Sequence, residues 1–309
     1  MNEEKQQTVL IAGGTGLLGR HLSEMLKDEG FRVIHLSRHQ NLQARFPAYR
    51  WDLDAGHIDE EALEQADHII NLAGAGVADK RWTPARKRLI IDSRIESTRL
   101  LKRYIEKHGP GKFKSFTAAS AIGFYGNRGE ELLTEESAPG MGFLPEVCTA
   151  WESASGEIEK LGLRTSIVRI GIVLSMKGGA LPQMLMPFRF LVGTWFGSGR
   201  QWYSWIHIDD ISRIFCEAIK NEKLSGIYNG VAPHPVRNRD FVATIRRALE
   251  RPALLLPVPA WLLRLALGEM ADAVLDSTRV SAEKLTKSGF EFEHPLLLPA
   301  LQDLWTRRV

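Results

Sequence analysis

Three glycines at positions 13, 16 and 19 stand in the run Gly13–Gly14–Thr15–Gly16–Leu17–Leu18–Gly19. Small residues at this spacing serve anion binding in three ways. One allows a tight turn, one lets backbone N–H groups approach a pyrophosphate, and one permits close helix–strand packing. The helix that follows would point its positive end at the phosphates. The competing readings are a plain tight turn, another dinucleotide or a methyl donor. A second pair, Ser37 and Arg38, follows the next apolar run. A carboxylate there would hold ribose hydroxyls. A hydroxyl and a guanidinium suit a ribose 2′-phosphate instead, because the guanidinium is a planar fork of donors. The pair therefore predicts NADP(H) in preference to NAD(H), against a solvated loop arginine. A methyl-donor site would want an acidic residue at the same place.

These residues need elements to hold them. Thr8–Ala12 is a short apolar run that reads as a buried strand. Leu18, Leu22, Met25 and Leu26 then recur at helical spacing until Gly30, a natural helix stop, and Phe31–Leu36 reads as a second strand. His68–Leu72 is a third, ending in Asn71–Leu72–Ala73–Gly74, small enough for a cofactor to lie against its backbone. A helix marked by Ile91, Ile95, Thr98, Leu101 and Ile105 follows. Ser115–Ser120 and Thr165–Ile170 are further strands, with a helix through Trp151, Ala154, Ile158 and Leu161 between them. Strands alternating with helices predict an α/β fold with a doubly wound parallel sheet.

After Gly171 the texture changes. Residues 175–205 are rich in Gly, Pro, Met, Phe and Trp, and read as an irregular segment able to roof a pocket. Trp205–Ile208 followed by Asp209–Asp210 restores strand-to-helix grammar, with Ile211, Ile214, Phe215, Ala218 and Ile219 on one face. Asn238 is placed to cap a helix carrying Phe241, Ile245 and Leu249. The expected division is a dinucleotide-binding domain at 1–174, rejoined by 205–230, and a substrate-side lid and C-terminal domain at 175–204 and 231–309.

Composition narrows the field. The 309 residues are 44% hydrophobic and 25% charged, with 40 basic against 37 acidic side chains, a net +3. That balance gives no reason to expect nucleic acid or an anionic membrane as partner. The greasiest stretch, Leu254–Leu267, is broken by Pro257, Pro259 and Arg264. The N-terminal Met1–Thr8 is polar and acidic, unlike a signal peptide, so a cytoplasmic location is expected. Two cysteines, Cys148 and Cys216, make neither a disulfide framework nor a four-cysteine metal site, and no metal site is expected.

The motif set resembles the extended short-chain dehydrogenase/reductases of the NAD-dependent epimerase/dehydratase superfamily. It is closest to the "epimerase family" branch with a short extra C-terminal domain. The residues that carry this are GGTGLLG, NLAG, RWTPARK, SRIESTRLL, SAIGFYG, Trp151–Glu152, RIGIVLS, GSGRQWYSWIHIDD and RPALLLPVPAWLLRLALGE. The resemblance spans about residues 8–305 and implies a Rossmann-type core with a smaller C-terminal, substrate-side domain and an NADP-type cofactor. It places Gly13, Gly16 and Gly19 at the pyrophosphate and Ser37 and Arg38 at the 2′-phosphate. Asn71, Leu72, Ala73 and Gly74 stand beside the ribose and nicotinamide, and the backbone at Val173 near the nicotinamide. Arg94, in SRIEST, is a second phosphate contact or a surface arginine.

The superfamily's catalytic Ser/Thr, Tyr and Lys set, with YxxxK, is altered here. Four residues after Tyr49, Tyr104, Tyr125, Tyr203 and Tyr228 come Leu53, His108, Gly129, His207 and Ala232. Cys148 stands at the tyrosine position and Glu152 at the lysine position, one helical turn apart. Ser120 is one place off the hydroxyl position. Cys148 could exchange a proton or be a buried small hydrophobe. Glu152 could accept bonds from ribose hydroxyls, but a carboxylate raises rather than lowers a neighbouring acid's pKa. Tyr125 points into the cleft or is packed. Trp202, Tyr203 and His207 are the substrate-side candidates, against core packing and, for His207, strand anchoring. Two functions follow. One is an NADP-dependent oxidoreductase or epimerase-like enzyme acting on a small polar or nucleotide-linked substrate. The other is an NADP-binding sensor or scaffold without catalysis.

Overall fold

The computed structural model describes residues 6–307, so part of the N-terminal stretch read above, residues 1–5, lies outside it. The chain opens with β1 (Thr8–Ala12), crosses through α1 (Leu17–Asp28) to β2 (Arg32–Ser37), and continues into β3 (Ala48–Asp52) and β4 (His57–Ile58). Next come α2 (Glu60–Gln65), β5 (His68–Asn71), α3 (Pro84–His108) and β6 (Ser115–Ala121). After β7 (Leu132–Leu133), α4 (Phe143–Glu159) leads to β8 (Thr165–Ile170) and β9 (Ile172–Leu174). The segment after β9 holds α5 (Ala180–Leu185), β10 (Val192–Phe196) and β11 (Trp202–Tyr203), then β12 (Trp205–His207) meets α6 (Ile208–Lys220) and β13 (Gly226–Gly230). β14 (Val236–Arg237), α7 (Asn238–Ala248), β15 (Leu254–Val258), α8 (Ala260–Leu267) and α9 (Asp272–Leu275) follow. The chain ends in β16 (Arg279–Val280), α10 (Glu283–Lys287) and α11 (Leu297–Thr306).

Eight strands form the main sheet in the order β13-β8-β6-β5-β1-β2-β3-β4. All pairs are parallel except β3 with β4. The chain winds outward from β1 in one direction, then restarts at β5 and winds in the other. The crevice between the ends of β1 and β5 is therefore the switch point at which open α/β sheets bind ligands. Both faces are covered. Val9 and Ile11 of β1 pack with Leu22 and Leu26 of α1 and with Ile211 and Phe215 of α6. Leu10 and Ala12 face the opposite way, toward Leu63 of α2 and Leu100, Leu101 and Ile105 of α3. That alternation is the period of two that a strand imposes, here apolar on both sides. Ala300, Leu301 and Leu304 of α11 join the first of these clusters.

Several expectations need correction. The strand-to-strand segment after β2 adds β3 and the antiparallel β4, which no apolar run announced. The buried stripe of α3 runs through Ile90, Arg94, Ser97, Thr98, Leu101 and Ile105, so Ile91 and Ile95 are only half-buried. Asn238 does not cap α7. Its side chain instead accepts a 2.7 Å hydrogen bond from the Phe196 N–H. The segment 175–204 is more regular than its composition suggests, since β10 pairs in parallel with β15.

Candidate functional site

The glycine loop is pressed into the switch-point crevice. Gly13 has φ +81°, and a Cβ on it would lie 2.9 Å from the Leu72 carbonyl carbon at the end of β5. A Cβ on Gly19 would lie 2.5 Å from the Gly13 carbonyl oxygen. Gly14 lies directly on the His35 ring. Gly16, by contrast, has extended backbone, and a Cβ there would meet only the Gly13 oxygen at 3.3 Å. It occupies the N-cap of α1, so no side chain caps that helix. Its leading N–H groups are those that a phosphate can satisfy.

The walls of the crevice are held by side chains. Asn71 donates from Nδ2 to Thr98 Oγ1 (3.0 Å), and its Oδ1 accepts from the Ala73 N–H (3.1 Å). Gly74 rests on the Arg94 guanidinium. Arg94 is 9% exposed, donates to the carbonyls of Ala75 and Ile90, and lies over the Trp151 ring. Burial lowers its pKa, countered by Cys148. Ser37 and Arg38 stand at the end of β2. Ser37 Oγ accepts a long bond from the His39 N–H, while Arg38 is exposed and takes no ion pair among the described residues. Above α1, Leu17 contacts the turn at Gly178 and Gly179, just beyond β9, where Val173 pairs with Ile206 of β12.

The proton-relay position is built differently. Ser120, at the end of β6, donates to Glu152 Oε1 at 2.6 Å. Arg169, near the end of β8, grips the same carboxylate with two bonds of 2.8 Å. Arg169 Nη1 donates to the Tyr125 hydroxyl (2.9 Å), which donates in turn to Asn229 Oδ1 (2.7 Å). The Arg169 guanidinium stacks 3.5 Å from the centre of the Phe124 ring. Burial opposes its charge, but Glu152 outweighs burial and holds the pKa above its ordinary range. Burial raises the Tyr125 pKa against the pull of Arg169. Cys148, 3% exposed, is pushed up to about 12 by burial and then by Glu152.

Cys148, Glu152 and Ser120 thus come together, with Tyr125 joined to them through Arg169. The substrate-side candidates do not join this group. Tyr203 is buried, donates to the Val274 carbonyl at 2.8 Å and packs edge-on against Phe241. Trp202 donates to Glu130 at 2.9 Å, with the guanidinium groups of Arg237 and Arg279 over its ring. His207 is wholly buried and caps α6, its Nδ1 accepting from the Asp209 N–H at 3.1 Å.

The sheet wound both ways from β1, with its glycine turn, places the protein in the Rossmann-like class of α/β folds. The profile of the NAD dependent epimerase/dehydratase family matches residues 9–229, and a domain of unknown function, DUF1731, matches residues 258–304. The chain belongs to the NAD dependent epimerase/dehydratase family. It is 40% identical over 299 residues to the epimerase family protein YfhF of Bacillus subtilis, covering 96% of this chain and 97% of that one. The human epimerase family protein SDR39U1, solved with NADPH, is 30% identical with a TM-score of 0.86, covering 96% of this chain and 99% of that chain. A nucleoside-diphosphate sugar epimerase from Corynebacterium glutamicum is 33% identical with a TM-score of 0.77, covering 97% of this chain and 58% of that chain.

Sequence reasoning missed Arg169, Asn229 and Glu135. Asn229 donates its N–H to Glu135 Oε1 at 2.8 Å, along the outer edge of β13, where Lys284 Nζ also donates to the Ile227 carbonyl at 2.7 Å. An arginine between the apolar Val168 and Ile170 of β8 was the available signal for the first. It also missed that His207, Asp209, His294 and Asp303 converge.

Proposed function

We propose that this protein binds NADP(H) in preference to NAD(H) across the β1–β5 crevice. We read it as an NADP-dependent oxidoreductase or epimerase-like enzyme acting on a small polar or nucleotide-linked substrate. The observation that carries the cofactor preference is Arg38, exposed at the end of β2 and without an ion pair among the described residues. The NADPH bound to the human relative and the sugar-nucleotide name of the corynebacterial one support the same reading. The residues present fit such a group. The uncapped start of α1 offers N–H donors to a pyrophosphate, Gly16 leaves room for its approach, and Ser37 and Arg38 offer donors to a 2′-phosphate. When bound, the nicotinamide would supply hydride exchange. The chain's part is to orient it between the Asn71–Gly74 wall and the backbone near Val173, beneath the turn at Gly178 and Gly179. In this reading segments 175–204 and 231–309 form the substrate side. Titration calorimetry with the two cofactors tests the preference, and equal affinities would overturn it.

A second reading, an NADP-binding sensor or scaffold without catalysis, rests on the state of Glu152. Both of its oxygens are committed to Arg169 and Ser120, and the Cys148 thiol holds its proton far above neutrality. Nicotinamide absorbance during incubation with carbonyl compounds and sugar nucleotides separates the two. Turnover with any of them excludes the sensor.

A further inference from the structure

Where the end of α11 approaches the start of α6, four potential ligands converge: His207, Asp209, His294 and Asp303. One donor atom from each lies within 4.8 Å of all the others. Among the described residues, His207 Nε2 and His294 Nε2 are buried and make no hydrogen bond, and Asp303 Oδ2 is buried beside Arg307 Nε at 2.9 Å. His207 is wholly buried, with its Nε2 3.3 Å from Asp303 Oδ2. The His294 ring stacks on His207 at a centroid distance of 3.8 Å, and its Nε2 lies 3.7 Å from Asp209 Oδ2. Buried imidazole nitrogens without hydrogen bonds are costly to leave so.

The surroundings hold these groups in place. Asp210 accepts from the N–H groups of Glu293 and His294, both at 2.9 Å, and so fixes the loop that presents His294. His21 of α1 bonds Asp209 Oδ1 at 2.7 Å, leaving Oδ2 turned toward the histidines.

We propose that His207 Nε2, His294 Nε2, Asp209 Oδ2 and Asp303 Oδ2 form a site for one divalent transition-metal ion of zinc-like chemistry. Two imidazoles and two carboxylates suit a tetrahedral zinc ion, whose ligand atoms stand about 3.3 Å apart. Two adjustments accompany binding. Arg307, which is half-exposed and bridges Asp209 (2.6 Å) and Asp303 (2.9 Å), swings out and yields its place to the cation. His207 moves its proton to Nδ1, giving up the helix-cap bond, with Asp209 Oδ2 3.6 Å away as the nearest carboxylate oxygen. His21 then acts on the ion only through Asp209. The ion would pin α11 and the loop that carries His294 to the start of α6.

Tag-free protein is stripped with a chelator, equilibrated with buffered zinc chloride and analysed for metal content. The expected result is one zinc per chain in the wild type and none in His294→Asn or Asp303→Asn. His21→Gln should weaken zinc about 10–100-fold, as loss of an outer partner does. Cobalt(II) should give an intense visible absorption in the wild type that His294→Asn abolishes. Zinc should raise the thermal midpoint of the wild type but not of the variants, whose circular dichroism confirms folding. Wild-type zinc content no greater than that of a His294→Asn/Asp303→Asn double variant overturns the proposal. Because the readout is metal content, its failure leaves the cofactor reading untouched.

Discussion

The glycine loop and the corner between β6, α4 and β8 answer the same question in opposite ways. At the loop, small residues bring backbone to backbone, and among the described residues no side chain caps α1 and none pairs with the exposed Arg38. At the corner, Ser120, Glu152, Arg169, Tyr125 and Asn229 bond one another in an unbroken row. Donors turned toward a cavity favour a ligand. Polar groups that satisfy each other favour the fold, because a buried charge is tolerated only when paired. The loop is built to be completed from outside, and the corner has completed itself.

The sharpest break between the two regions is Gly16→Val. A Cβ there meets only the Gly13 oxygen, so the fold should persist while the β-branched side chain blocks the approach to α1. Native circular dichroism with no NADPH quenching of tryptophan fluorescence is the expected outcome, and normal quenching would mean the loop does other work. The converse break is Arg169→Met. It strands Glu152, which is 9% exposed, and should cost about 3–5 kcal/mol in urea unfolding. Adding Glu152→Leu should restore most of that, since apolar replacement of the whole pair removes the stranded charge. A single variant as stable as the wild type would show that the row carries no structural load.

Smaller effects sharpen the contrast. Arg38→Ala should weaken NADPH by about 1.5–3 kcal/mol in calorimetric titration, the scale of a charge-assisted contact, and leave NADH unchanged. Stability should fall as pH drops from 6.5 toward 4. Burial lowers the His35 and His68 pKa values to about 4, so the unfolded chain binds these protons first. His35 lies under the loop with Nε2 2.7 Å from Ser23 Oγ, and His35→Gln should flatten part of that profile. The smallest expected change is Cys148→Ala, which should leave turnover of any accepted carbonyl compound intact. A loss of about 100-fold, the scale of a general acid's contribution, would put the thiol in the chemistry.

What the sequence disclosed follows the same division. The loop was legible because its demands are local: turn geometry and close approach exclude side chains at positions 13 and 19 whatever else the chain does. The alternation of apolar runs with helical periods likewise gave the sheet, except for β3 and β4, whose mixed residues carry no clear period. The corner was only half legible. Cys148 and Glu152 show as substitutions, but the meaning of Glu152 depends on Arg169, 17 positions away on another element. Asn238 misled for a related reason, since its oxygen found the Phe196 N–H in place of its own helix. The His207–His294 stack joins distant parts of the chain through no motif, and only the packing of α11 brings Asp303 to it.

The two ends of the main sheet bear on how copies of this protein meet one another. An outer strand with free N–H and C=O groups is a template on which a second chain can build. On one flank the last strand is β4, two residues long and antiparallel, too short to offer much of a template. On the other flank two outward-facing groups of β13 are already taken, the Ile227 carbonyl by Lys284 and the Asn229 N–H by Glu135. Side chains thus perform the blocking that a further strand would otherwise perform. Strand-by-strand growth into fibrils is disfavoured at both flanks, and on the β13 side the protection comes from charged side chains.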